Sequence, residues 1–119
     1  MVIWCFTNDP TLKEEARKII VDKENEIFAS AANAWEISIK KALGKLKAPN
    51  NFTELLSQRQ FTPLDITVAH ALKVGELPIQ PNHKDPFDRL LVAQALVEGL
   101  TLITRDTHLT AYGVPIIEA

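Results

Sequence analysis

Apolar residues recur along this chain in two alternating rhythms, one of helical period and one of short continuous runs. Leu12, Ala16, Ile19 and Ile20 mark one face of a helix that follows the turn-forming "TNDP". "NEIFAS" reads as a short strand, and "AANAWEISIKKALGKL" as an amphipathic helix that stops around Gly44. At about 100° per residue, Ala32, Trp35, Ile39, Ala42, Leu43 and Leu46 share one apolar arc of that helix, with Glu36 at its margin. "PNNFTELLSQ" sets Asn51 three residues before Glu54, a helix-start pattern. "FTPLDI" is expected to be extended, with Thr67 capping a short helix over "VAHALKVGEL". A helix from Pro86 to Glu98, a strand "LTLIT", a turn at Tyr112-Gly113 and a last strand "VPII" complete the pattern. Short apolar strands alternating with helices predict an α/β fold, a mainly parallel sheet covered by helices.

The 119 residues suit a single domain spanning 1–119, large enough for a core. Cys5 is the lone cysteine, which excludes an intramolecular disulfide and fits a reducing compartment. The apolar start "MVIWCF" is too short for a membrane span and lacks the basic beginning of a signal peptide, so a cytoplasmic protein with no membrane partner is expected. A net charge of −2 gives no blanket attraction to nucleic acid. A phosphodiester substrate would need a bound metal or a local basic patch. The strip Lys40, Lys41, Lys45 and Lys47 is read first as a solvated face. Four scattered glycines exclude a phosphate-binding glycine loop. His70, His83 and His108 have no metal-type spacing with each other or with Cys5, and Ser30 and Ser38 have no recognisable histidine–acid partners.

The chemistry concentrates in "DPFDRLLVAQALVEGLTLITRD". Asp85 before Pro86 is a good helix N-cap, and Asp88 falls in the first turn, where the helix dipole favours a carboxylate. Taken singly, each acid is a cap or a turn residue. Taken together they align: the helix from Asp88 to Glu98 travels about 16 Å. The strand after Gly99 comes back about 16 Å. Asp106 therefore returns to the level of Asp88, at the carboxyl edge of the sheet, where α/β folds place their sites. Glu36 lies within two turns of the carboxyl end of "NEIFAS" and joins them. Taken alone it would be an i,i+4 partner of Lys40. Three carboxylates this close repel unless a cation neutralises them. Mg²⁺ or Mn²⁺ takes oxygen ligands while retaining water and phosphate in its shell.

"SAANAWEISIKKALGKL", "LPIQPNHKDPFDRLLVAQALVEGLTLITRD" and "YGVPII", in this order and spacing, resemble the PIN-domain family and, within it, the VapC-type toxins of bacterial toxin–antitoxin pairs. The resemblance implies a three-layer PIN-like fold and a Mg²⁺-dependent endoribonuclease acting on structured RNA, silenced by a cognate antitoxin and commonly homodimeric. By the same resemblance Glu36, Asp88 and Asp106 are three of four active-site acids that hold the metal. Thr104 is the small hydroxyl residue supporting the last of them, and Asp85 is a cap rather than a ligand. In one respect the chain departs from the family, which opens with an apolar strand ending in aspartate. Here "VIWCFTNDP" looks like the end of the helix that follows it, so the first strand and the fourth acid are expected to be missing. Asp9, before Pro10, is expected to be a turn residue and not that acid. The alternative is a catalytically inactive PIN-like module that only binds an antitoxin or another protein. An unrelated α/β phosphotransfer domain is the third reading.

Overall fold

The computed structural model describes residues 2–4, 14–22, 24–44, 61–79, 85–104 and 107–118. In chain order the elements are β1 (Val2–Trp4), α1 (Glu14–Val21), β2 (Ile27–Ser30), α2 (Ala31–Ala42), β3 (Thr62–Leu64), α3 (Val68–Glu76), α4 (Pro86–Glu98), β4 (Thr101–Thr104), a 3₁₀ helix (Thr107–Tyr112) and β5 (Ile116–Glu118). The strands form one sheet in the order β3-β2-β1-β4-β5, and every neighbouring pair is parallel. The expected α/β architecture is therefore present.

The N-terminus corrects one expectation. "VIWCFTNDP" predicts a helix end and its turn, and a sheet without its central strand. Instead Val2–Trp4 occupy that central place, with Ile3 paired to Phe28 on one side and to Leu102 on the other. Without a strand there, β2 and β4 would each present an unpaired row of backbone groups in mid-sheet. Val, Ile and Trp are also residue types enriched in strands. Residues 5–13, the start pattern at Asn51 and the segment 80–84 that carries His83 lie outside the described residues.

From β1 the chain builds outward through β2 and β3, then crosses to build β4 and β5 on the other side. The direction reverses between β1 and β4, and in open α/β sheets the crevice at the carboxyl end of such a reversal is where ligands bind.

α4 is the central helix. Leu91, Val92, Ala93, Gln94 and Ala95 are buried in succession, because α2 and α3 both pack against it. Leu91, Leu102, Leu109, Tyr112 and Val114 join in one apolar cluster that ties α4 to β4 and the 3₁₀ helix. Gly99 turns the chain with φ 68°, ψ 39°, a left-handed conformation that glycine adopts without a Cβ penalty. Leu100 N–H then donates to Ala95 carbonyl at 2.8 Å. β4 thus doubles back along α4 and brings the N-terminal turn of α4 to the carboxyl edge of the sheet.

The apolar arc of α2 is not a core face along its length. Ala32 is buried, but Trp35, Ile39 and Leu43 are exposed. β2 runs into α2 with no intervening loop.

Candidate active site

Asp85 caps α4, as its position before Pro86 predicts. Its Oδ1 accepts from Phe87 N–H at 2.8 Å and from Asp88 N–H at 3.3 Å. This cap fixes the first turn, in which Asp88 is half-buried. Glu36, in the second turn of α2, is half-buried as well. Thr104 is buried at the carboxyl end of β4. Asp106 lies outside the described residues, and among the described residues no three His, Cys, Asp or Glu side chains group as a metal site.

Two contacts set how the acid-bearing helices meet. Trp35 on α2 and Phe87 on α4 pack edge to face, with centroids 4.9 Å apart and planes at 77°. Ser30, the residue before α2, hydrogen-bonds to Gln94 on α4. Numbering rises along α2 between these contacts and falls along α4, so the helices run antiparallel. Glu36 follows Trp35 and Asp88 follows Phe87. One residue turns a helix by about 100°, and in an antiparallel pair that turn carries both side chains to the same side of the seam. Helix geometry thus predicts that Glu36 and Asp88 share one side of the seam.

Behind the seam lies a buried polar chain that sequence reasoning did not find. Ser30 Oγ donates to Gln94 Oε1 and accepts from Ala32 N–H at 3.0 Å, which caps α2. Gln94 Nε2 donates to the Asp65 carbonyl and to His70 Nδ1, both at 3.3 Å. His70 Nδ1 also accepts from Thr67 N–H at 3.0 Å, while its Nε2 faces Glu98 Oε1 at 2.8 Å. Thr67 and His70 form a reciprocal capping box on α3. Ser30, His70 and Gln94 are buried almost completely, and the chain reaches solvent at Asp65, Thr67 and Glu98. The chain is no hydrolase triad, because an amide stands between hydroxyl and imidazole and transfers no proton. A signal for it existed: a glutamine within "LLVAQALV" must find partners if that run is core.

Arg89, next to Asp88, tethers α4 on its other side. Its guanidinium donates to the Val74 and Pro78 carbonyls, each at 3.1 Å, and to Tyr112 Oη at 3.3 Å. It also lies 5.7 Å from the Tyr112 ring centroid. Among the described residues no helix is long and apolar enough to cross a membrane.

Known proteins bear on this arrangement. A ribonuclease named VapC16 from Mycobacterium tuberculosis is 40% identical over 60 residues, a match covering 47% of this chain and 43% of that protein. The match thus spans less than half the length of that relative. Two solved structures share the fold across 99% of this chain. FitAB bound to an IR36 DNA fragment matches with TM-score 0.68 and 16% identity over 94% of that chain. DNA-bound VapBC from Salmonella typhimurium matches with TM-score 0.65 and 15% identity over 98% of that chain. The family model of the PIN domain matches residues 1–115. The chain belongs to the PIN domain family.

Proposed function

We propose that this chain is a metal-dependent endoribonuclease of the VapC type, the toxin of a toxin–antitoxin pair working in the cytoplasm. The observation that supports the proposal is the Trp35–Phe87 contact between α2 and α4, because Glu36 and Asp88 are the residues that follow the two rings in sequence. The identity with a relative named as a ribonuclease supports the reaction class. Asp106 is assigned from sequence, two residues beyond the end of β4, with Thr104 supporting it.

Glu36 and Asp88 are both partly open to solvent, and with Asp106 they offer only carboxylate oxygens, a donor set suited to hard cations such as Mg²⁺ or Mn²⁺. These three residues would hold the ion, which supplies neutralisation of phosphate charge and an activated water. The chain's own contribution is placement. Asp85 fixes the first turn of α4, and the ring pair together with the Ser30–Gln94 bond joins α2 to α4.

A cognate antitoxin is the proposed partner, by analogy with VapBC, together with a second copy of the chain. Trp35, Ile39 and Leu43 on α2, with Val68 and Leu72 on α3, are exposed apolar residues that such partners would cover. One observation favours the second reading, an inactive partner-binding module: the central strand Val2–Trp4 contributes no carboxylate, so it does not supply the fourth acid.

The test is cleavage of a structured RNA by the purified chain, with Mg²⁺ or with excess EDTA. Cleavage that requires the metal and disappears in Asp88→Asn supports the enzyme. Undiminished cleavage in EDTA rules out the metal mechanism, and antitoxin binding without any cleavage favours the inactive module.

A further inference from the structure

We propose that Gln94 is a positioning residue for the acid pair: its buried amide locks α2 against α4 in the one register that sets Glu36 beside Asp88. The inference rests on the proposed metal site for its consequence, but the lock itself is a property of the two helices.

Apolar contact is non-directional, so packing alone does not select a register between two helices. A buried polar group does, because any other register leaves it without partners. Gln94 has no solvent exposure and sits among Leu91, Val92, Ala93 and Ala95. A leucine or methionine would fill that volume with no need of partners. What the amide adds is direction.

That direction is fixed from both ends by backbone groups. Thr67 N–H donates to His70 Nδ1, so Nδ1 is the acceptor and Nε2 carries the proton given to Glu98. Nδ1 and the Asp65 carbonyl are both acceptors, so an amide oxygen turned toward them would be repelled and the Gln94 Nε2 donor faces them instead. Oε1 is thereby turned toward Ser30 and takes the hydroxyl proton, while Ala32 N–H occupies the hydroxyl oxygen. Each group in the chain has one orientation.

The leverage is symmetric. Glu36 lies six residues after Ser30, the last residue of β2, and Asp88 lies six residues, about 9 Å of helix, before Gln94. In the antiparallel pair the Ser30–Gln94 bond lies at one end of the seam and the two acids at the other. Slipping α2 by one residue would turn Glu36 by about 100° away from Asp88. The ring pair cannot prevent this alone, since Trp35 is 55% exposed.

The experiment compares the parent chain with Gln94→Met, which keeps the volume and deletes the lock, and with Ser30→Ala and Ser30→Thr. Mn²⁺ affinity is read by electron paramagnetic resonance, the seam by nuclear Overhauser effects between the Trp35 indole and the Phe87 ring, and stability by thermal melting. Gln94→Met and Ser30→Ala should lose about 10–100-fold in Mn²⁺ affinity, the range typical of groups that orient metal ligands. Both should weaken the ring-to-ring signals while still melting cooperatively, and Ser30→Thr should restore both readouts. If Gln94→Met does not fold, the two Ser30 variants decide. Parent-like Mn²⁺ binding with intact ring signals in the folded variants overturns the proposal. If the parent itself binds no Mn²⁺, the metal-site reading fails and the ring signals alone judge the lock.

Discussion

Trp35 and Phe87 meet edge to face across the α2–α4 seam at 4.9 Å, and each is followed in sequence by a candidate metal ligand. The aromatic pair thus acts as the hinge pin of the site. Such pairs contribute about 0.5–1.5 kcal/mol beyond their buried area. Trp35→Ala should therefore lower stability by only about that amount, because its ring is already largely in water. Its effect on Mn²⁺ affinity should be disproportionately larger. Calorimetric unfolding and metal titration on the same variant check the ratio.

The acids and the cap should separate cleanly. Asp88→Asn and Glu36→Gln each remove a ligand charge with little change of volume. Each should reduce RNA cleavage by more than the roughly 10–100-fold typical of outer-shell partners, with the melting temperature retained. Asp85→Asn should be mild, since asparagine caps as well as aspartate, whereas Asp85→Ala should cost about 1 kcal/mol. Cleavage rates beside melting curves test the sorting.

Core and surface leucines should differ in the same way. Leu91, 1% exposed between α4 and its neighbours, should cost about 2–5 kcal/mol as Leu91→Ala. Leu72, on the open face of α3, should change stability by no more than about 0.5 kcal/mol as Leu72→Ala. Denaturant unfolding with a constant m-value measures both.

Much of this architecture was legible in the sequence because local chemistry and global topology agree there. Asp85-Pro86 announced the start of α4 and Gly99 its end. Thr67 announced the start of α3. Three features were hidden for physical reasons. Val2–Trp4 is β-prone, but three residues before a turn-like sequence do not announce a strand until the sheet supplies a neighbour on each side. The arc of Trp35, Ile39 and Leu43 has helical periodicity whether or not anything covers it, so periodicity alone could not show that it is exposed. Ser30, His70 and Gln94 converge from three separate elements, and no local spacing encodes that meeting.

The acid-free central strand gives a gain-of-function prediction. Position 5 directly follows Val2–Trp4 in sequence, and the family resemblance puts the fourth acid at the end of that strand. Cys5→Asp should strengthen Mn²⁺ binding and raise cleavage, while Asp9→Ala should change neither. Parallel metal titrations and RNA assays decide between the two positions.

The central claim is that Glu36 and Asp88 share one metal ion at the seam of α2 and α4. Anomalous diffraction at the manganese edge, from crystals grown with Mn²⁺, tests it most directly. The account predicts one strong peak within about 2.0–2.5 Å of carboxylate oxygens of both residues. A peak that contacts neither carboxylate, or none at saturating Mn²⁺, would contradict it.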